Sequence, residues 1–206
     1  MKSLLTLAAM AAAVAVAGSP AFSADKPAAG PPASMDPKIK FKDGDRYLGD
    51  LSSALQIPRE SICKELGQYD CFKDAFRIVL GGVEAENLGV NVPLEEEALT
   101  APIALDRLAL HACVNRVNLD LRDPKHAVLL RNAPKGKASK GWLKSTTATV
   151  YDRILNRAPT ASETAKLTGF YDQVALKEGK PNPDAAKDWV TLSCFATASS
   201  TENVFY

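Results

Sequence analysis

The first two dozen residues, taken with four cysteines, constrain this chain more than anything else in it. The sequence opens MKSLLTLAAMAAAVAVAGSPAFSA. Lys2 supplies a charged start, Leu4 to Ala17 an apolar core, and Ala21, Ser23 and Ala24 the small residues of an A-x-A-like cleavage site. Residues 1–24 are therefore expected to be a secretory signal peptide. An exported chain meets an oxidising compartment, so Cys63, Cys71, Cys113 and Cys194 are expected as disulfides.

Four cysteines allow three pairings. Cys63 with Cys71 is favoured, because a break at Gly67 lets two short helices fold back on each other. Cys113 would then tie a central helix to the last one. That longer cross-link would stabilise the fold by roughly 4–5 kcal/mol on the chain-entropy model. No C-x-x-C occurs, which argues against a thiol redox motif, and no C-x-x-C-H occurs, which excludes the usual covalent haem attachment.

Residues 25–39, rich in Pro and Ala, read as a flexible tether. The rest, 40–206, is expected to be one domain, since domains run to about 100–200 residues. Its apolar content, 46% in the full chain, suffices for a core. The 25 basic residues against 24 acidic ones exclude a strongly charged surface made for nucleic acid. No stretch approaches the length of a membrane span. The basic run Lys135, Lys137, Lys140 and Lys144, broken by glycines, reads as a solvated loop.

Apolar spacing predicts helices and no sheet. Tyr47, Leu48, Leu51, Leu55 and Ile57 mark the first. Pro58 opens a second, ending at Gly67, and Cys71 to Leu80 forms a third, stopped by Gly81-Gly82. Residues 83–102, with Glu95 to Glu97, read as a loop. Pro102 to Leu121 is the clearest helix. It carries Leu105, Leu108, Ala112 and Leu119 on one side, and Leu110, Val114, Val117 and Leu121 widen the apolar surface. Arg107, His111, Asn115, Asn118 and Arg122 form a narrow polar stripe. Residues 124–146 read as a loop, with Ala127 to Leu130 as a short strand or helical turn. Three helices follow: one over 147–156; one opened by a Thr160/Glu163 capping box and bearing Leu167, Phe170, Tyr171 and Val174; and one from Asp184 with Trp189, Leu192, Cys194, Phe195 and Ala196, apolar nearly all round. The fold class expected is all-α, an orthogonal bundle of about six to seven helices stapled by disulfides.

Chemistry is thinner. No G-x-S-x-G, H-E-x-x-H, Walker or G-x-G-x-x-G motif is present, so no catalytic residue is assigned. Glu95 to Glu97 lack EF-hand spacing. His111 and Cys113 look like a ligand pair, but two residues of helix turn by about 200° and set them on opposite faces. No metal ligand set and no cofactor is expected. Arg107, His111 and Asn115 are the candidate binding stripe, and Asp152, Arg153 and Arg157 a second group able to meet an anion. Glu84 and Glu86 are the carboxylates a small cell-wall or polysaccharide hydrolase would use.

Val150 to Thr160 (VYDRILNRAPT), Glu163, Trp189 to Leu192 (WVTL) and Ser199 to Tyr206 (SSTENVFY) resemble the closing helices of exported proteins associated with planctomycete-type cytochromes. Cys63 to Cys71 (CKELGQYDC), continuing through Gly81-Gly82-Val83, is similar to an exported bacterial family of unassigned function. The resemblance implies a helical envelope module near a redox system. These features lead to one expectation: a periplasmic or extracellular accessory protein of an envelope assembly, binding another envelope or secreted protein. An accessory to a redox system, holding haem or copper through His111 or His126, is the alternative.

Overall fold

A computed structural model describes residues 40–65, 67–84, 88–92 and 98–205. The expected signal peptide and tether, together with Leu66, Glu86, the run Glu95 to Glu97 and Tyr206, lie outside the described residues. The described residues are mainly helical: α1 Gly44–Leu55, α2 Ala101–Arg122, α3 Lys140–Leu155, α4 Ala161–Val174, α5 Ala185–Ala198 and α6 Thr201–Val204. Strand is confined to two small antiparallel hairpins, β1 Lys64–Glu65 with β2 Tyr69–Asp70 and β3 Leu176–Lys177 with β4 Lys180–Pro181. The chain is an all-α bundle stapled by Cys63–Cys71 and Cys113–Cys194.

α2 lies at the centre, packed on α1 and α5, and α3 and α4 close the other side of α5. Cys113 and Cys194, both fully buried and 81 residues apart in sequence, weld α2 to α5. Trp189 fills the space between α4 and α5; its indole N–H donates to the Leu167 carbonyl at 2.8 Å, and its ring meets those of Trp142 and Tyr171. Tyr47 reaches from α1 to donate to the Ala198 carbonyl at 3.1 Å. The two ends of the described bundle are fastened together. Lys42 N–H donates to the Val204 carbonyl at 2.9 Å, and the Phe41 and Phe205 rings meet edge to face. Gly44, at the start of α1, lets Phe72 and Leu80 pack close against the helix, since a Cβ there would come within 2.8 Å of the Leu80 side chain.

The apolar run Ala127 to Leu130 is neither strand nor helix. Val128, Leu129 and Leu130 are buried, and their backbone N–H groups all donate to the Asp120 carboxylate, at 2.9, 2.8 and 2.8 Å. Arg116 lies 2.9 Å from the same carboxylate and donates from Nη1 to the Leu55 and Gln56 carbonyls. One ion pair thus joins α2, the end of α1 and an otherwise irregular loop.

Three stretches depart from the expected helices. Residues 58–63 form only a 3₁₀ turn, Arg59–Ser61, before β1. The Ser61 and Ile62 carbonyls, which a helix would use internally, instead accept from the Asn115 amide at 2.8 and 3.0 Å. Gly67 is a hairpin turn at φ +72° rather than a helix cap. Cys71–Phe76 opens into a wider π-helical turn, with the Asp70 carboxylate accepting from the Phe72 and Lys73 N–H groups. α3 begins at Lys140, not near Thr147. Ser139 caps it by accepting from Trp142 N–H, and burial of Leu143, Thr146 and Thr147 overrides the poor helix propensity of Gly141 and the threonines. α5 is not buried all round, since Leu192 and Ala196 are exposed.

Asp120→Asn removes the counter-charge of Arg116 while keeping the side-chain shape. Breaking a buried pair from one side costs about 3–5 kcal/mol, and urea unfolding should show a loss of that order. Asp123→Asn, at an exposed site three residues on, should stay within about 0.5 kcal/mol of wild type. Equal stability of the two variants would refute the structural role given to Asp120.

Candidate functional site

α2 buries one face and turns the other outward. The outward face carries two neighbouring rows. One is apolar: Ile103, Leu110 and Leu121 are exposed and Val114 is partly exposed. This corrects the expectation that Leu110, Leu119 and Leu121 join the core, because α1 and α5 cover only the opposite side of the helix. The other row is the polar stripe. His111, Asn115, Asn118 and Arg122 line a groove of about 470 Å³, whose other wall is the segment from Ile57 to Gly67.

The structure brings His111 and Asn115 together but not Arg107. The Arg107 guanidinium lies over the Phe76 ring, 5.5 Å from its centroid, and is not among the groove residues. Asn115 acts as a brace. Its amide donates to the Ser61 and Ile62 carbonyls and holds the far wall against α2. The groups that remain to meet a ligand are His111, Asn118, Arg122 and Lys64, with Ile57, Pro58 and Leu119 as apolar surface. The groove therefore sets apolar surface beside two cationic side chains, Lys64 and Arg122, which suits an extended acidic segment.

His111 also has neighbours that the sequence places far away. Its ring nitrogen and the sulfurs of Cys63 and Cys71 all lie within 4.8 Å of one another. Both cysteines are buried and His111 is half-buried. Cys113, only two residues from His111, points into the core and is bonded to Cys194. Helical geometry correctly separates His111 from Cys113. The approach to Cys63 and Cys71 depends on the hairpin folding back onto α2, and no spacing in the sequence announces it.

The second charged group has a different use. Arg157 is clamped between Glu163, at 2.7 and 3.0 Å, and Glu202, at 2.6 Å to each oxygen, and it stacks on Tyr151. This joins the end of α3 to the starts of α4 and α6. The Arg157 guanidinium, helped by the Thr160 N–H, holds the Glu163 carboxyl at about 2, far below its ordinary 4.5. Glu202 is lowered by the same guanidinium, and Arg157 is raised by the two carboxylates. These charges staple the fold and leave no open anion site at Arg157.

His126 is exposed and pairs with Asp123 at 2.7 Å, lowering the Asp123 carboxyl. Glu84 pairs with Arg77 at 3.1 Å, and its proposed mate Glu86 lies outside the described residues. The lysine run is only partly a loop, since Lys140 and Lys144 belong to α3. With Lys137 they line a second cleft, about 760 Å³, beside Thr164 and Tyr171 of α4. Among the described residues no helix is long and apolar enough to cross a membrane. Comparison of the chain with protein-family models, with curated proteins and with solved structures finds no match in any of the three.

The depressed Glu163 carboxyl gives a pH signature. Its folded value lies below the unfolded one, so its contribution is complete above about 4.5 and is lost as the pH falls toward about 2. Glu163→Gln can still serve the capping box but has no titrating charge. Its stability should fall less steeply over that acid range than that of wild type, as followed by urea midpoints. Parallel profiles would show that the pair does not couple to folding.

Proposed function

We propose that this protein is an exported helical accessory component of a cell-envelope assembly and works by binding another envelope or secreted protein. The outward face of α2 carries this reading. It sets an exposed apolar row, Ile103, Leu110 and Leu121, beside a groove lined by the cationic Lys64 and Arg122. An apolar strip rimmed by polar groups is the usual form of a protein-binding surface. The partner that fits presents an apolar ridge flanked by carboxylates. Two disulfides suit an oxidising compartment, consistent with a periplasmic or extracellular location after removal of residues 1–24. The resemblance of the closing helices to exported proteins of cytochrome systems supports the same setting. A role in a redox system is the second reading. His111 favours it, because it stands beside two sulfurs; His126, paired with Asp123, adds nothing to it.

The full chain, tagged at its C-terminus and produced in its own host, provides the test. Its mature N-terminus should lie just after Ala24 and the protein should fractionate with the envelope. Zero-length carbodiimide cross-linking should trap one discrete partner, and Leu110→Asp and Arg122→Glu should each abolish that product without lowering the melting temperature. A cross-link that survives both substitutions, or an uncleaved protein in the cytoplasm, overturns the proposal.

A further inference from the structure

His111 faces two ways. It lines the open groove, and its ring also stands against the Cys63–Cys71 pair. While the two sulfurs are bonded to each other they are poor metal ligands. Once reduced they are two soft thiol donors beside an imidazole, all three ligand atoms within 4.8 Å of one another. A four-coordinate zinc centre has bonds of about 2.3 Å to sulfur and about 2.0–2.1 Å to nitrogen. Its ligand atoms are therefore separated by less than the full spread found here, and rotation about the cysteine side-chain bonds covers the difference.

We propose that the reduced Cys63/Cys71 pair and His111 form a binding site for a soft d10 cation, Zn(II) or Cu(I), and that the disulfide is the oxidised, metal-free state of the same site. The proposal goes beyond the partner-binding role and does not depend on it. Two thiolates and one imidazole are the ligand set that selects such cations over calcium or magnesium. Three protein ligands leave one position of a four-coordinate centre open.

The redox step balances simply. A dithiol donor supplies two electrons and two protons, the Cys63–Cys71 bond breaks, and the donor leaves as a disulfide. Metal binding then displaces a proton from each thiol. The geometry around the pair does not rely on the sulfur–sulfur bond. Cys71 N–H donates to the Cys63 carbonyl at 3.2 Å. Asn115 holds the Ser61 and Ile62 carbonyls on α2, one turn from His111. The Asp70 carboxylate caps the turn that starts at Cys71. The other bridge is of a different kind. Cys113 and Cys194 are fully buried and close a far longer loop, 81 residues against 8, which constrains the unfolded chain more and keeps the bundle intact when the shorter bridge opens.

The test uses the mature chain in three steps under anaerobic conditions. A mild phosphine treatment, followed by removal of the phosphine and by alkylation mapping, should free Cys63 and Cys71 while Cys113–Cys194 stays closed and the helical signal is unchanged. Titration with Zn(II) against a chromophoric chelator, and separately with Cu(I) against a copper(I) indicator, should give one equivalent per chain in the reduced protein and none in the oxidised protein. The tighter arm identifies the cation. Bound metal should protect both thiols from alkylation. His111→Ala should weaken binding at least about tenfold, the lower bound seen for losing even an outer-shell partner. His126→Ala should leave it unchanged. The double variant Cys63→Ser/Cys71→Ser, which keeps the core bridge, should bind no metal. The proposal falls if the reduced protein takes up neither cation, if His111→Ala binds as tightly as wild type, or if the short bridge opens only together with the long one and with loss of helix. Cross-linking to a partner is read separately, so failure of either proposal leaves the other standing.

Discussion

The bond between Cys113 and Cys194 fixes how α2 is rotated in the bundle, and most of what the surface offers follows from that rotation. With Cys113 pinned against α5, Leu105, Leu108, Ala109, Ala112 and Val117 must face the core. His111, two residues from Cys113, is thereby set on the opposite side, toward the hairpin at Cys63 and Cys71. Ile103, Leu110 and Leu121 are left facing outward by the same constraint. Neither the groove nor the apolar row beside it exists without that choice of face. The bridge therefore does more than limit the unfolded chain. It decides which of the helix's apolar residues become core and which become surface.

Charge is handled economically inside this frame. Arg116 and Asp120 lie on the buried side of α2, a costly place for an isolated ion, and they are paired with each other while Asp120 accepts from three backbone N–H groups and Arg116 Nη1 donates to two carbonyls. Arg157 does the same at the half-buried junction of α3, α4 and α6 by holding two carboxylates at once. In both places the ionic groups give direction to segments that have little regular structure of their own. Cationic side chains also line open surface: Lys64 and Arg122 in the groove, and the lysines at the start of α3 in the second cleft.

The long amphipathic elements were legible in the sequence because one-sided burial leaves a period. The apolar spacing of α1, the Thr160/Glu163 box of α4, and the length of α2 and α5 appear where the residues place them. The all-α class and both disulfide pairs followed from the same reasoning. The stretches that misled are those where a distant group takes over the backbone. Residues 61 and 62 give their carbonyls to Asn115, and residues 128–130 give their N–H groups to Asp120, so neither stretch can be read from its own pattern. α3 begins about two turns earlier than its composition suggests, since tertiary burial outweighs weak propensity at Gly141, Thr146 and Thr147. The candidate site divides the same way. The stripe was visible as a stripe; that Arg107 leaves it for Phe76, that Asn115 is a brace, and that His111 meets Cys63 and Cys71 are all products of long-range packing.

The groove and the sulfur pair share a wall, which gives the two proposals a physical connection. Lys64 and Gly67 line the groove and belong to the hairpin that Cys63 and Cys71 close. A metal ion held by both sulfurs and His111 requires the sulfurs to move apart by rotation of their side chains, next to the wall that carries Lys64. His111, as a ligand, would also lose its freedom to meet a partner's carboxylate. Metal and partner would then draw on the same histidine and the same wall, so each would alter the affinity of the other by an equal factor. A binding protein built this way would report the redox state of its surroundings through its grip on a partner, using His111 of the groove and the neighbouring sulfur pair.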